Sequence, residues 1–195
     1  MMIRSLLLPI LIAFTASLCT AQSVENATIE REEYVVYSAM IPEVYAEDES
    51  RFMVITNPTS NWRHQIAKKD LQFRYPAPVV SQETLDDFLT RNKTNRWLTR
   101  DFDLKVDYVL TDYEAIGKLI GIPNPLDDWK NFFKQYPAAH GFIHFSRVGF
   151  DQQMHQALVR AGWRCPGLCG HWEFILLEKS NQGWKVVNQA NREVS

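Results

Sequence analysis

The sequence has no block of like charge, no internal repeat and no low-complexity segment. Lys and Arg number 21 against 23 Asp and Glu. The basic surplus of a general nucleic-acid binder is therefore missing, and that class is set aside. Beyond the N-terminal leader described below, no apolar run is long enough to cross a bilayer. The Gly-x-Ser-x-Gly elbow of many serine hydrolases is absent. Cysteine is scarce: Cys19, Cys165 and Cys169 are the only three.

What is present begins at the N-terminus. Arg4 supplies a positive charge, Leu6 to Phe14 an apolar stretch, and Cys19-Thr20-Ala21 small residues before Gln22. This is the layout of a secretory signal peptide, so residues 1–21 are expected to be removed after Ala21. Lipid attachment at Cys19 is disfavoured, because Leu18 stands where that signal wants a small residue. Loss of Arg4 with the leader takes the formal charge from −2 to −3. The mature chain, 22–195, has the length of one domain and is expected to be secreted or periplasmic.

The first part of that domain reads as helix-rich, to about residue 139. Tyr34, Tyr37, Ile41 and Val44 form an apolar stripe at helical spacing, with Pro42 expected to interrupt it. Arg51–Thr56 reads as a short strand, and Ser81 as the cap of a helix carrying Leu85, Phe88 and Leu89. Asp101–Thr111 alternates like a half-buried strand. Helices are expected over 112–120 and 126–137, the second with Trp129, Phe132, Phe133 and Tyr136 as its core stripe. From residue 140 the texture becomes strand-rich: GFIHFSRVGF, QALVRAGWR, HWEFILLEK and WKVVNQ are four runs joined by short turns. Links this short imply antiparallel neighbours. The expected fold is α+β, one domain, with helices packed on an antiparallel β-meander formed mainly by the C-terminal part.

Ser146-Arg147-Val148-Gly149-Phe150, Gln156-Ala157-Leu158-Val159, Cys165 with Leu168-Cys169-Gly170, Leu177-Glu178-Lys179 and Gly183-Trp184-Lys185-Val186 follow one another in the last quarter of the chain. This series resembles a group of uncharacterised secreted bacterial proteins. The resemblance implies a bacterial exported protein and no particular activity.

Cys165 and Cys169 remain as a pair once the leader has gone. In an oxidising compartment a disulfide across the Pro166-Gly167 turn is the expected state. A thiol-redox or copper role is the alternative, but three residues separate the cysteines and a strand follows them, where thioredoxin-like sites use two residues and a helix. His140, His144, His171 and Glu173 are candidate binding residues. On strands, His140 and His144 stand roughly 13 Å apart and His171 and Glu173 roughly 7 Å. Arg147 is a candidate for solvent exposure or for an anion. Ser146 shares a strand face with His144, but nothing else of a hydrolase is visible. Arg91, Lys93, Arg96 and Arg100 around Trp97 read as a solvated helix face. Asp86-Asp87 and Asp127-Asp128 read as helix-start acids. Asn26-Ala-Thr28 and Asn92-Lys-Thr94 are glycosylation sequons.

No convergent catalytic set, metal set or cofactor motif emerges. The expectation is an exported, non-catalytic binding or interaction domain, contacting a partner protein or a cell-envelope ligand through an open sheet face and the cysteine loop. The alternative is a periplasmic metal-binding, thiol-redox or hydrolytic protein using Cys165, Cys169, His171 and Glu173.

Overall fold

The first helix, α1, buries the stripe that its sequence advertises: Tyr34, Val36, Tyr37, Met40 and Ile41 are each 5% exposed or less. It occupies residues 31–44 in the structure, a computed structural model that describes residues 31–45, 52–60, 66–121, 129–167 and 169–194. The leader, the Asn26 sequon and the Asp127-Asp128 pair lie outside the described residues. Pro42 does not break α1. It sits in the last turn, so only its own missing N–H is lost from the ladder, and the Tyr45 N–H still donates to the Ile41 carbonyl at 3.0 Å.

One seven-stranded sheet receives α1. Its order is β2 (Asp107–Asp112), β1 (Phe52–Asn57), β3 (Phe142–Phe145), β5 (Gln156–Arg164), β6 (His171–Ser180) and β7 (Gly183–Val194), with β4 (Gly149–Phe150) pairing β5 off this path. The C-terminal strands are antiparallel neighbours, as their short links require. β1 runs parallel to both β2 and β3. The fold is α+β, with the C-terminal meander extended by this parallel edge.

Three more α-helices stand among the described residues. α2 (Gln82–Arg91) is capped by Ser81, whose Oγ accepts from the Thr84 N–H at 3.1 Å. α3 (Tyr113–Ile120) starts at Asp112, which accepts from the Glu114 N–H at 2.7 Å and the Ala115 N–H at 3.3 Å. It ends at Gly121 with φ +72°, a left-handed position that suits glycine. α4 spans Trp129–Gln135 and buries Trp129 and Phe132.

These helices cover both faces of the sheet. Alternate residues of one strand enter opposite cores. Met53, Ile55, Ile143 and Phe145 join the α1 core, while Val54 and Phe142 pack under α3 and α4. Leu85 and Phe88 of α2 lie against Leu158, Phe174 and Leu176. Among the described residues both sheet faces are thus covered, where the sequence suggests one open face.

Two runs that read as continuous strands are divided. The 141–150 run breaks between β3 and β4 because its backbone donors are claimed by side chains. The Arg147 N–H donates to Asn92 Oδ1 at 2.7 Å and the Val148 N–H to Glu33 Oε2 at 3.4 Å. In the 101–111 run only Asp107 onward joins the ladder. Phe102, Leu104 and Val106 still pack on the α1 core, but the chain there follows α1, with the Asp103 N–H bonded to Ser38 Oγ at 2.9 Å. Alternation reported burial correctly and pairing incorrectly.

Candidate functional site

Glu33 is a carboxylate inside the apolar stripe of α1, 1% exposed. A lone buried carboxylate would cost several kcal/mol, so its partners are structural necessities. Three guanidinium groups meet its Oε1: Arg147 at 2.8 Å, Arg91 at 3.1 Å and Arg96 at 3.3 Å. The Tyr37 hydroxyl donates to Oε2 at 3.4 Å and to the Ser146 carbonyl at 2.8 Å. Burial first, and then the Glu33 charge, push the Tyr37 phenol well above its ordinary pKa. Arg91 also holds Asp87 at 2.7 Å, and Asp87 accepts from the Phe150 N–H at 2.8 Å.

This network corrects two readings. Arg91 and Arg96 are not a solvated helix face; they turn inward because Glu33 needs them, while Lys93 and Arg100 stay exposed. Asp87 is more than a helix-start acid, since it ties α2 to β4. Arg147, read as facing solvent or an anion, is half-buried and paired with the internal carboxylate of Glu33. The signal for Glu33 was present in the sequence: a charge four residues before Tyr37, on the buried stripe.

Arg96 of this network also lines a groove of about 1030 Å³. Its floor is the outer face of α1, with Val35 (44% exposed) and Ala39. One wall is the 96–103 segment, bearing Arg96, Trp97, Thr99, Asp101 and Asp103; the other is the β6–β7 turn with Gln182, Gly183 and Trp184. Trp97 is 64% exposed.

The walls are tied to α1 by specific bonds. Glu32 Oε1 accepts from Lys179 Nζ at 2.6 Å and from Trp184 Nε1 at 2.5 Å. Burial raises the Glu32 pKa, but the bonds from Lys179 and Trp184 and the nearby cations outweigh it and leave it below the usual carboxylate range. On the other side the Tyr34 hydroxyl accepts from the Thr99 N–H at 2.8 Å, and the Arg96 guanidinium lies 5.6 Å from the Tyr34 ring centre.

The residues singled out from the sequence do not gather at one point. His140 is exposed at the entrance to β3. His144 is buried, its ring centre 3.5 Å from that of Trp172. Trp172 lies between His171 and Glu173 in β6, so strand alternation puts those two on the opposite face from His144. His171 Nε2 is 3.5 Å from Glu173 Oε1, and Glu173 is 2% exposed. Burial, then the charges of Arg160 and Arg164, hold the His144 pKa well below the usual imidazole value. Its Nε2 has no hydrogen-bond partner, while Ser146 Oγ donates to the Arg147 carbonyl at 2.9 Å and accepts from the Arg160 N–H at 2.8 Å. The Ser146–His144 pair is thus not a nucleophile and its base. Among the described residues no three His, Cys, Asp or Glu side chains come together to hold a metal ion.

Cys165 and Cys169 form a disulfide, with Cα atoms 5.8 Å apart. Cys165 lies in the α1 core and Cys169 is exposed, so the bridge joins the end of β5 to the loop before β6. Asn92 is fully buried. Its Nδ2 donates to the Phe88 carbonyl at 2.8 Å and the Arg147 carbonyl at 3.0 Å, which uses the sequon's amide for structure.

No protein-family model, no curated protein and no solved structure matches the chain. Among the described residues no helix is long and apolar enough to cross a membrane.

Proposed function

We propose that the chain is an exported, non-catalytic binding domain that holds a segment of a partner protein in the groove along α1. The observation that carries this reading is Trp97. A large aromatic side chain stands 64% exposed on a wall whose neighbours are fixed from below by Glu33 and Tyr34. An amphipathic aromatic on a rigid support provides contact area at little cost in conformational entropy. Export is supported by the leader-like N-terminus and agrees with the disulfide. The resemblance to exported bacterial proteins points the same way.

The test is a photo-reactive amino acid placed at Val35 in the native host. The crosslinked protein is then purified and titrated calorimetrically against the wild type and Trp97→Ala. Saturable binding that weakens at least tenfold in Trp97→Ala is the expected result. Turnover of an ester, peptide or glycan substrate, lost on changing one polar residue, would overturn the non-catalytic reading.

A further inference from the structure

A second cavity, of about 100 Å³, shares no lining residue with the groove along α1. Gln72, Arg74, Glu173, Gln189 and Asn191 surround it together with Ala190. Strand alternation puts four of these side chains on one face. Leu71 and Phe73 pack in the core under α2, so Gln72 and Arg74 turn the other way. Gln189 pairs with Ile175 of the α1 core, and Glu173 stands two residues before Ile175 on the same strand. Backbone bonds fix the frame. The Arg74 N–H donates to the Gln189 carbonyl at 2.7 Å, and the Gln72 N–H to Asn191 Oδ1 at 2.7 Å. β7 carries an extra residue opposite Glu173, at a bulge where Asn191 takes φ +51°.

Glu173 is buried, and its Oε1 stands 3.5 Å from His171 Nε2. Its Oε2 is also buried and, among the described residues, has no hydrogen-bond partner. A carboxylate oxygen buried without a donor is costly, so a donor from outside the chain would be held strongly there. Arg74 lines the same cavity but stays exposed and leaves Oε2 unbonded. The volume exceeds the roughly 10–15 Å³ that one water needs and falls short of the roughly 300 Å³ at which drug-sized pockets begin. It suits a group of a few heavy atoms. An ammonium has three N–H donors and no acceptor. Glu173 Oε2 and the carboxamide oxygens of Gln72 and Gln189 offer it three acceptors on residues that line one cavity. A single carboxylate among neutral carboxamides suits a monovalent cation better than a divalent one. We propose that this cavity binds the ammonium group of a primary alkylamine, with Glu173 as its counter-charge. A free amine and a lysine side chain carry the same group.

The experiment uses the mature protein and follows, by NMR, the side-chain amides of Gln72 and Gln189 and the backbone amide of Glu173. The probes are butylammonium, tetramethylammonium and magnesium, each as the chloride. Butylammonium is expected to give saturable shifts at all three positions, and tetramethylammonium, which has no N–H, none. Glu173→Gln keeps the shape and should weaken butylammonium binding about tenfold or more, the loss of a charged hydrogen bond. Gln72→Ala, at an exposed position, should weaken it about threefold. Arg74→Ala should tighten it about threefold by removing a like charge. Competition by Nα-acetyl-lysine methylamide assigns a lysine side chain as the source, and failure to compete assigns a free amine; either keeps the ammonium site. No saturable shift with butylammonium, equal binding of tetramethylammonium, tighter binding of magnesium, or an affinity unmoved by Glu173→Gln and Gln72→Ala overturns the proposal.

Discussion

Arg147 Nη2 stands 2.8 Å from Glu33 Oε1, joining the buried side of α1 to the break between β3 and β4. With Arg91 and Arg96 on the same oxygen, four separate parts of the chain meet at one carboxylate. The groove inherits its shape from this junction, because Arg96 and the adjoining Trp97 wall are positioned through it.

Removing the Glu33 charge should therefore cost more than an ordinary surface ion pair. Glu33→Gln leaves three guanidinium groups around a neutral amide, and a loss of about 3 kcal/mol is expected. Urea unfolding of the variant against wild type measures it. A change below about 0.5 kcal/mol would mean that the network carries no more than surface pairs do.

Acid should destabilise the fold through His144. Its imidazole is packed between Trp172 and Tyr113, with Arg160 and Arg164 as the charged neighbours. The folded-state pKa is depressed, so below about pH 6.5 the unfolded chain holds a proton that the folded one refuses. Stability is expected to fall as pH drops through that window toward the folded pKa. His144→Phe should flatten this part of the stability–pH curve, measured by denaturant melts across pH.

The same slot has no room for a side chain at Gly162. A Cβ there would stand 2.4 Å from His144 Nε2 and 2.5 Å from the Trp172 ring. Gly162→Ala should cost about 1–3 kcal/mol as overpacking, and thermal melts should show a lowered midpoint.

The cysteine bridge should appear in the intact mass of exported protein, lighter by both thiol hydrogens, on a chain starting at Gln22. Cys165→Ser with Cys169→Ser should lower stability by about 2 kcal/mol, the loop-closure contribution of so short a ring. Expressed in a host that glycosylates, Asn92 of folded protein should remain unmodified. Asn92→Ala should cost about 2 kcal/mol, since it leaves buried backbone groups unpaired. Unfolding curves and glycopeptide mass analysis read both.

The elements that could be read from sequence are those whose signal is local. β5 falls on the run Gln156–Arg164 and β6 begins at His171 because apolar alternation and bounding turns lie within the strand itself. The Ser81 and Asp112 caps are local in the same sense. The parallel pairing of β1 with β2 and β3 depends on partners more than 50 residues apart in the chain, and no short window carries that information. The convergence of Arg91, Arg96 and Arg147 on Glu33 was hidden for the same reason. The aromatic exposure that marks the groove was hidden too: Trp97 and the buried Trp163 look alike in sequence, and only the packing separates them.

The central claim is that a partner segment lies along α1 between Trp97 and the β6–β7 turn. Its most direct test is an amide and indole NMR titration of the mature protein with the partner captured through Val35. The expected result is that shifts concentrate on Val35, Ala39, Gly183 and the Trp97 indole. Shifts confined to the cysteine loop, or to the sheet face under α2 and α3, would contradict the account.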